Sequence, residues 1–141
     1  MADIRSGTQE TPDEVEAGIH ACVRAFYEVA RHDEVIGPIF EARVADWDAH
    51  LSLMDDFWSR AVLGTERYTN APLPPHVPMA LRQAHFDRWQ RLWEAAARTH
   101  LPPHAAARAI AVGGHMAHCW GHALEGLAVA RAARTLAEAQ G

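Results

Sequence analysis

The chain has 141 residues and a mass of 15.6 kDa, enough for one domain with a single substantial core and too little for two. Hydrophobic residues make up 49% and charged residues 22%, a globular balance that excludes a disordered tail protein or a collagenous fibre. The net charge is −5 and all thirteen basic residues are arginines scattered singly among acids, which leaves no basic stripe for nucleic acid.

Residues 1–12 are polar and read as a flexible N-terminal arm. Thr11-Pro12-Asp13-Glu14 then opens a helix: a capping hydroxyl, a proline suited to the first position and acids at the positive end of the dipole. Its apolar stripe is Val15, Ile19, Cys22, Val23, Phe26, Tyr27 and Ala30, and Arg31-His32-Asp33 closes it. Gly37-Pro38 interrupts a short apolar turn that ends at Phe40. From about Asp46 to Leu63 the pattern is the clearest in the chain. Trp47, His50, Leu51, Met54, Phe57, Trp58 and Ala61 share one ~100° arc, Asp48, Ser52, Asp55, Asp56, Ser59 and Arg60 take the other side, and Gly64 is the left-handed cap.

Residues 64–79 carry Pro72, Pro74, Pro75 and Pro78, which permit a stiff connector and little helix. A helix from about Ala80 to Arg98 places Phe86, Trp89, Trp93 and Ala96 on one face. Pro102-Pro103 starts the last helix, with Ile110, Gly114, Ala117, Gly121, Leu124 and Ala128 as its stripe. Residues 13–130 are expected to form the domain, and 131–141 a helical or frayed tail. Apolar residues recur at three- and four-residue spacing throughout, so the class is all-α. Cys22 and Cys119 stand in no ligand spacing, no signal-like segment opens the sequence and no apolar run nears the ~20 residues of a membrane span. The expectation is a soluble, cytoplasmic protein with reduced thiols and no membrane partner.

Ten histidines invite a metal reading. His115, His118 and His122 include an HxxxH pair, but they project off the core stripe and lack the acid that a zincin requires. A solvated histidine face is the simpler account, with a zinc-binding helical bundle as the remote alternative. No ExxH occurs, which removes di-iron carboxylate bundles. His50 differs, because it lies inside an apolar arc, and Tyr27 sits beside Phe26 in another. Each alone is compatible with a satisfied core residue; together with the Trp89 indole they send three hydrogen-bond donors inward from three helices, as a polar-ligand pocket in an aromatic cage would. His76, in Pro72-Leu73-Pro74-Pro75-His76-Val77-Pro78, is either an exposed loop residue or a metal ligand whose other ring nitrogen is fixed by a carbonyl freed by the prolines.

An ordered set of motifs runs from about Ala17 to Leu127: Phe26-Tyr27, Gly37-Pro38-Ile39-Phe40, Trp47-Asp48-Ala49-His50, Phe57-Trp58, Leu63-Gly64, Tyr68, Pro72-Leu73 ahead of His76, and Phe86-Asp87-Arg88-Trp89. In order and spacing this set resembles the third group of truncated haemoglobins. The resemblance implies a globin-like two-over-two helical sandwich around haem b. It implies His76 as the proximal iron ligand, with His85 as its rival, and Tyr27, His50 and Trp89 as the distal polar residues. Phe40 is implied against the porphyrin, with Phe26, Met54, Phe57, Trp93, Tyr68 and Arg67 as further cofactor contacts.

On that basis the chain is expected to bind dioxygen, nitric oxide and carbon monoxide, and to retain oxygen tightly for redox chemistry such as oxidation of nitric oxide to nitrate. Turnover would need an external reductase, because one haem pocket in a chain of this size leaves no room for a flavin domain. A peroxidase-like haem protein and a non-catalytic sensor or scavenger are the alternatives, and the oligomeric state is left open.

Overall fold

A computed structural model describes residues 10–70 and 81–140, and among them there are five helices and no strand. They are α1 (Pro12–Ala30), α2 (Gly37–Arg43), α3 (Trp47–Leu63), α4 (Gln83–His100) and α5 (Pro103–Gln140). α1 packs on α3 and α4 on α5, and the two pairs meet through α1 against α4 and α3 against α5. That is the two-over-two arrangement expected of the sequence. No described helix is long and apolar enough to cross a membrane.

α1 starts as a capping box. The Thr11 hydroxyl accepts from the Glu14 N–H at 3.1 Å and the Glu14 carboxylate accepts from the Thr11 N–H at 3.4 Å, which satisfies donors that an uncapped helix leaves exposed. Just before it, within the segment expected to be a flexible arm, Glu10 is tied down. Its carboxylate accepts from the N–H groups of His104 and Ala105 at 2.7 and 2.9 Å, at the positive end of α5.

The chain departs from its periodicity in three places. Gly37-Pro38 does not interrupt a turn but opens α2, where proline at the first positions lacks only an N–H that a helix start cannot use. Ser59, expected on the polar side of α3, is fully buried, its hydroxyl bonded to Glu16 and to Thr65 Oγ1. In α5 the buried residues are Ala105, Ala106, Ala109, Gly113, Ala117, Gly121 and Leu124, so Gly113 rather than Gly114 faces the core. A Cβ at Gly113 would stand 3.0 Å from Trp93 Cδ1 and 3.3 Å from Trp89, so the missing side chain lets α5 lie against the indole pair. Gly64 ends α3 at φ 76°, as its left-handed cap required.

Asp33, 9% exposed, holds the corner between α1 and α2. One carboxylate oxygen accepts from the Val35 and Ile36 N–H groups at 2.9 and 3.0 Å, and the other accepts from Arg88 Nε of α4 at 2.7 Å. Burial alone would raise its pKa, but the Arg88 guanidinium and the two amides hold the carboxyl below its ordinary range.

Candidate functional site

The core of the sandwich is unusually aromatic, and the reason is visible along the helices. Phe26 and Tyr27 of α1, Phe57 and Trp58 of α3, and Trp89 and Trp93 of α4 all fall on inward faces. Trp58 stacks on Trp93 with centroids 4.1 Å apart, and Trp89 lies nearly parallel to both, its centroid 6.1 Å from Trp93 and 6.4 Å from Trp58. The Trp93 indole N–H donates to the Ala109 carbonyl at 3.3 Å, which fixes that ring to α5.

These rings do not close up completely. They leave a cavity of about 400 Å³, in the size range of ligand and cofactor pockets, about 300–1,000 Å³. Phe26, Phe40, Met54, Phe57, Trp89 and Trp93 all line it, as do Tyr68, Tyr27 and His50. The structure therefore brings together residues that lie 67 positions apart, from Phe26 to Trp93, around one space.

Tyr27 and His50, two of the polar residues that line the cavity, form a pair at its polar end. His50 Nε2 lies 2.9 Å from Tyr27 Oη, with the two rings edge-on at 5.1 Å. Burial pushes the Tyr27 phenol above its ordinary range, so it keeps its O–H. When the His50 tautomer carries hydrogen on Nε2, it donates to Tyr27 Oη and leaves the tyrosine O–H free to donate elsewhere; the opposite tautomer consumes that O–H. Among the described residues, none accepts a hydrogen bond from Trp89 Nε1.

Arg67 stands apart from this group. Its guanidinium donates to Asp56 at 3.0 Å and to both Glu16 oxygens at 3.0 and 3.1 Å, and it is absent from the cavity wall. His76 lies outside the described residues. His85, its rival, does line the cavity, but its Nδ1 accepts from the Arg82 N–H at 2.9 Å. In the neutral ring the proton then sits on Nε2, so neither nitrogen offers a lone pair to a metal without a change of hydrogen bonding.

On α5, His118 and His122 are exposed with rings 4.6 Å apart, as a solvated face implies, and among the described residues no three metal-ligating side chains converge. Other cavity residues escaped the sequence reading. Arg43 ends α2, and Met116 and Trp120 occupy consecutive turns of α5 beside its buried stripe. The i, i+4 spacing of Met116 and Trp120 was the available signal, since it runs parallel to Ala109, Gly113 and Ala117.

No protein-family model matches the chain. Over 74 residues it is 32% identical to the group 3 truncated hemoglobin ctb of Campylobacter jejuni, a match that covers 49% of this chain and 58% of that protein. The crystal structure of group III truncated hemoglobin from Campylobacter jejuni superimposes with a TM-score of 0.71 at 24% identity, covering 77% of this chain and 90% of that one. The aligned sequence thus spans somewhat over half of the relative's length, while the shared fold spans nearly all of it.

Proposed function

We propose, from the truncated-globin fold and the likeness to the third group of truncated haemoglobins, that the cavity holds haem b and that the protein binds diatomic ligands there. The observation that carries this reading is the cavity itself: flat aromatic walls with a hydrogen-bonding pair at one end fit a planar apolar group that carries a small polar ligand. Haem iron supplies reversible binding of dioxygen, nitric oxide and carbon monoxide, and one-electron redox chemistry. His76 is the residue that would hold the iron. Phe26, Phe40, Met54, Phe57, Trp93 and Tyr68 would enclose the ring and exclude water.

Tyr27 would be the main donor to the ligand, since its O–H is buried against the cavity. His50 sets whether that O–H is free, through the tautomer that faces Tyr27. Trp89, which lines the same cavity, would give a second hydrogen bond. Two donors to one ligand would retain oxygen tightly, which suits consumption of nitric oxide better than oxygen transport. The balanced reaction is NO + O2 + e⁻ → NO3⁻, and the electron comes from an external reductase. Both cysteines are free, in keeping with a cytoplasmic setting.

An absorption spectrum of the purified chain, oxidised, reduced and with carbon monoxide, tests the cofactor: a strong Soret band is expected, and its absence after haem addition rejects the reading. For the reaction, rapid mixing of the oxygenated protein with one equivalent of nitric oxide should yield nitrate. Peroxide reduction would instead lean on His50 as acid and base. Slow or nitrate-free conversion, together with fast peroxide consumption abolished in His50→Leu, would favour the peroxidase alternative.

A further inference from the structure

Behind the Tyr27–His50 pair, away from the cavity wall, lies Trp47, at the first position of α3 and half-buried. Its ring meets Tyr27 edge-on at 5.4 Å and His50 at 5.7 Å, and is tilted against Phe40 at 6.4 Å. On the indole face sits Arg31, the residue that caps the end of α1, with its guanidinium carbon 4.0 Å from the ring centroid. Arg31 Nε in turn donates to Glu41 Oε1 of α2 at 2.9 Å. A residue from each of three successive segments therefore stacks over the outside of the polar pair: Glu41, then Arg31, then Trp47.

The forces in this stack are weak by design of their setting. Arg31 and Glu41 are 38% and 51% exposed, so water and salt screen their attraction. A cation on an indole face at the surface is a modest contact as well. Burial does not hold Trp47 in place as it holds Trp93, which is 2% exposed, stacked on Trp58 and hydrogen-bonded to Ala109. The cover over His50 is consequently held less firmly than the Trp93 wall.

We infer that Arg31, Glu41 and Trp47 form a latch that closes the outer side of the Tyr27–His50 pair, positions the His50 ring and limits exchange of water and small solutes with the polar end of the cavity. Arg31 and Glu41 act through Trp47 and are positioning residues. The inference uses the proposed ligand cavity for its purpose, but the latch itself can be tested without any bound cofactor.

The test is carbethoxylation of histidines by diethylpyrocarbonate in the full chain without haem, read peptide by peptide in a mass spectrometer, with exposed His118 as the internal standard. In the parent protein His50 should react slowly. Arg31→Ala should speed His50 modification relative to His118 by roughly three- to thirtyfold, the combined loss of a surface cation–π contact and an ion pair. Glu41→Gln should give a smaller rise of roughly two- to threefold, and Arg31→Lys an intermediate one. Added salt should speed the parent reaction and leave Arg31→Ala unchanged. Equal His50 rates in the parent and Arg31→Ala, with both chains equally helical by circular dichroism, overturn the latch whatever the cofactor proves to be. If the chain takes no haem but the His50 rates shift as stated, the proposed function fails and the latch stands.

Discussion

At the scale of the residue, the chemistry of the cavity turns on how one phenol is used. Tyr27 keeps its proton because it is buried, and its oxygen has His50 as neighbour. A hydrogen bond to a partly charged acceptor contributes about 1.5–3 kcal/mol. Tyr27→Phe should therefore speed oxygen release from the haem-loaded protein roughly ten- to hundredfold in stopped-flow displacement. The iron ligand is a second residue-scale question. His76→Gly should weaken haem retention, with partial recovery of the spectrum on adding imidazole, whereas His85→Gly should leave the spectrum near native because His85 Nδ1 is already engaged by a backbone donor. The reverse pattern would assign the iron to His85. A third concerns Asp33. Its carboxyl is held below the ordinary aspartate value, so its stabilisation is complete above that ordinary value and is lost as pH falls through the lower, folded one. Asp33→Asn should cost about 1–3 kcal/mol near neutrality in urea titrations, and the gap to the parent should shrink progressively below about pH 4. A gap that stays constant into acid would show that the charge on Asp33 does not contribute.

The helical elements carry two kinds of information, one local and one not. The capping box at Thr11 and the left-handed cap at Gly64 depend only on neighbours within four residues, and both formed where the local signals placed them. Glycines in α5 depend on what crosses that helix. Gly113 lies under two indoles, one of them locked by Trp58 and Ala109, and a methyl group there would stand 3.0–3.3 Å from ring atoms, so the rings would have to yield by a few tenths of an ångström. Gly126 has nothing within 4 Å of the place where a Cβ would stand. The same substitution should thus have opposite signs on one helix. Gly126→Ala should stabilise by about 0.5–1 kcal/mol through helix propensity, while Gly113→Ala should destabilise by about 1–2 kcal/mol because the crowded indoles offset that gain. Thermal melts of the two variants decide the matter, and a stabilised Gly113→Ala would mean that the Trp89–Trp93 wall yields.

Across the whole molecule, the aromatic residues serve two ends at once. Trp58 and Trp93 fill the centre of the sandwich, and Trp89, Phe40 and Phe57 stop short of filling it, which leaves the cavity of about 400 Å³. Such a void forfeits contacts that a bound group would restore. A ligand that binds only the folded state stabilises it in proportion to the logarithm of its concentration over Kd. Haem at about a hundredfold excess over its Kd should add about 2.7 kcal/mol, seen as a rise in melting temperature. Addition of haem with no change in the melt would argue that the cavity is not its site.

The amino-acid sequence by itself determined the all-α class, the ends of α1 and α3, and the inward faces that bear Tyr27, His50 and Trp89, because helix period and capping are settled by residues three or four positions apart. The ordered motifs also carried the likeness that sequence and fold comparison both support. Only the tertiary structure decided which inward residues meet. Ser59 is buried because Glu16 of α1 and Thr65 offer it partners, and Arg67 leaves the site because Glu16 and Asp56 hold it. Tyr27 and His50 share a hydrogen bond, and Trp47 closes over them under Arg31, because α1 and α3 cross there at contact distance. Periodicity tells which side of a helix seeks the core, but the partner it finds depends on where two helices cross, and no spacing within one helix encodes that crossing.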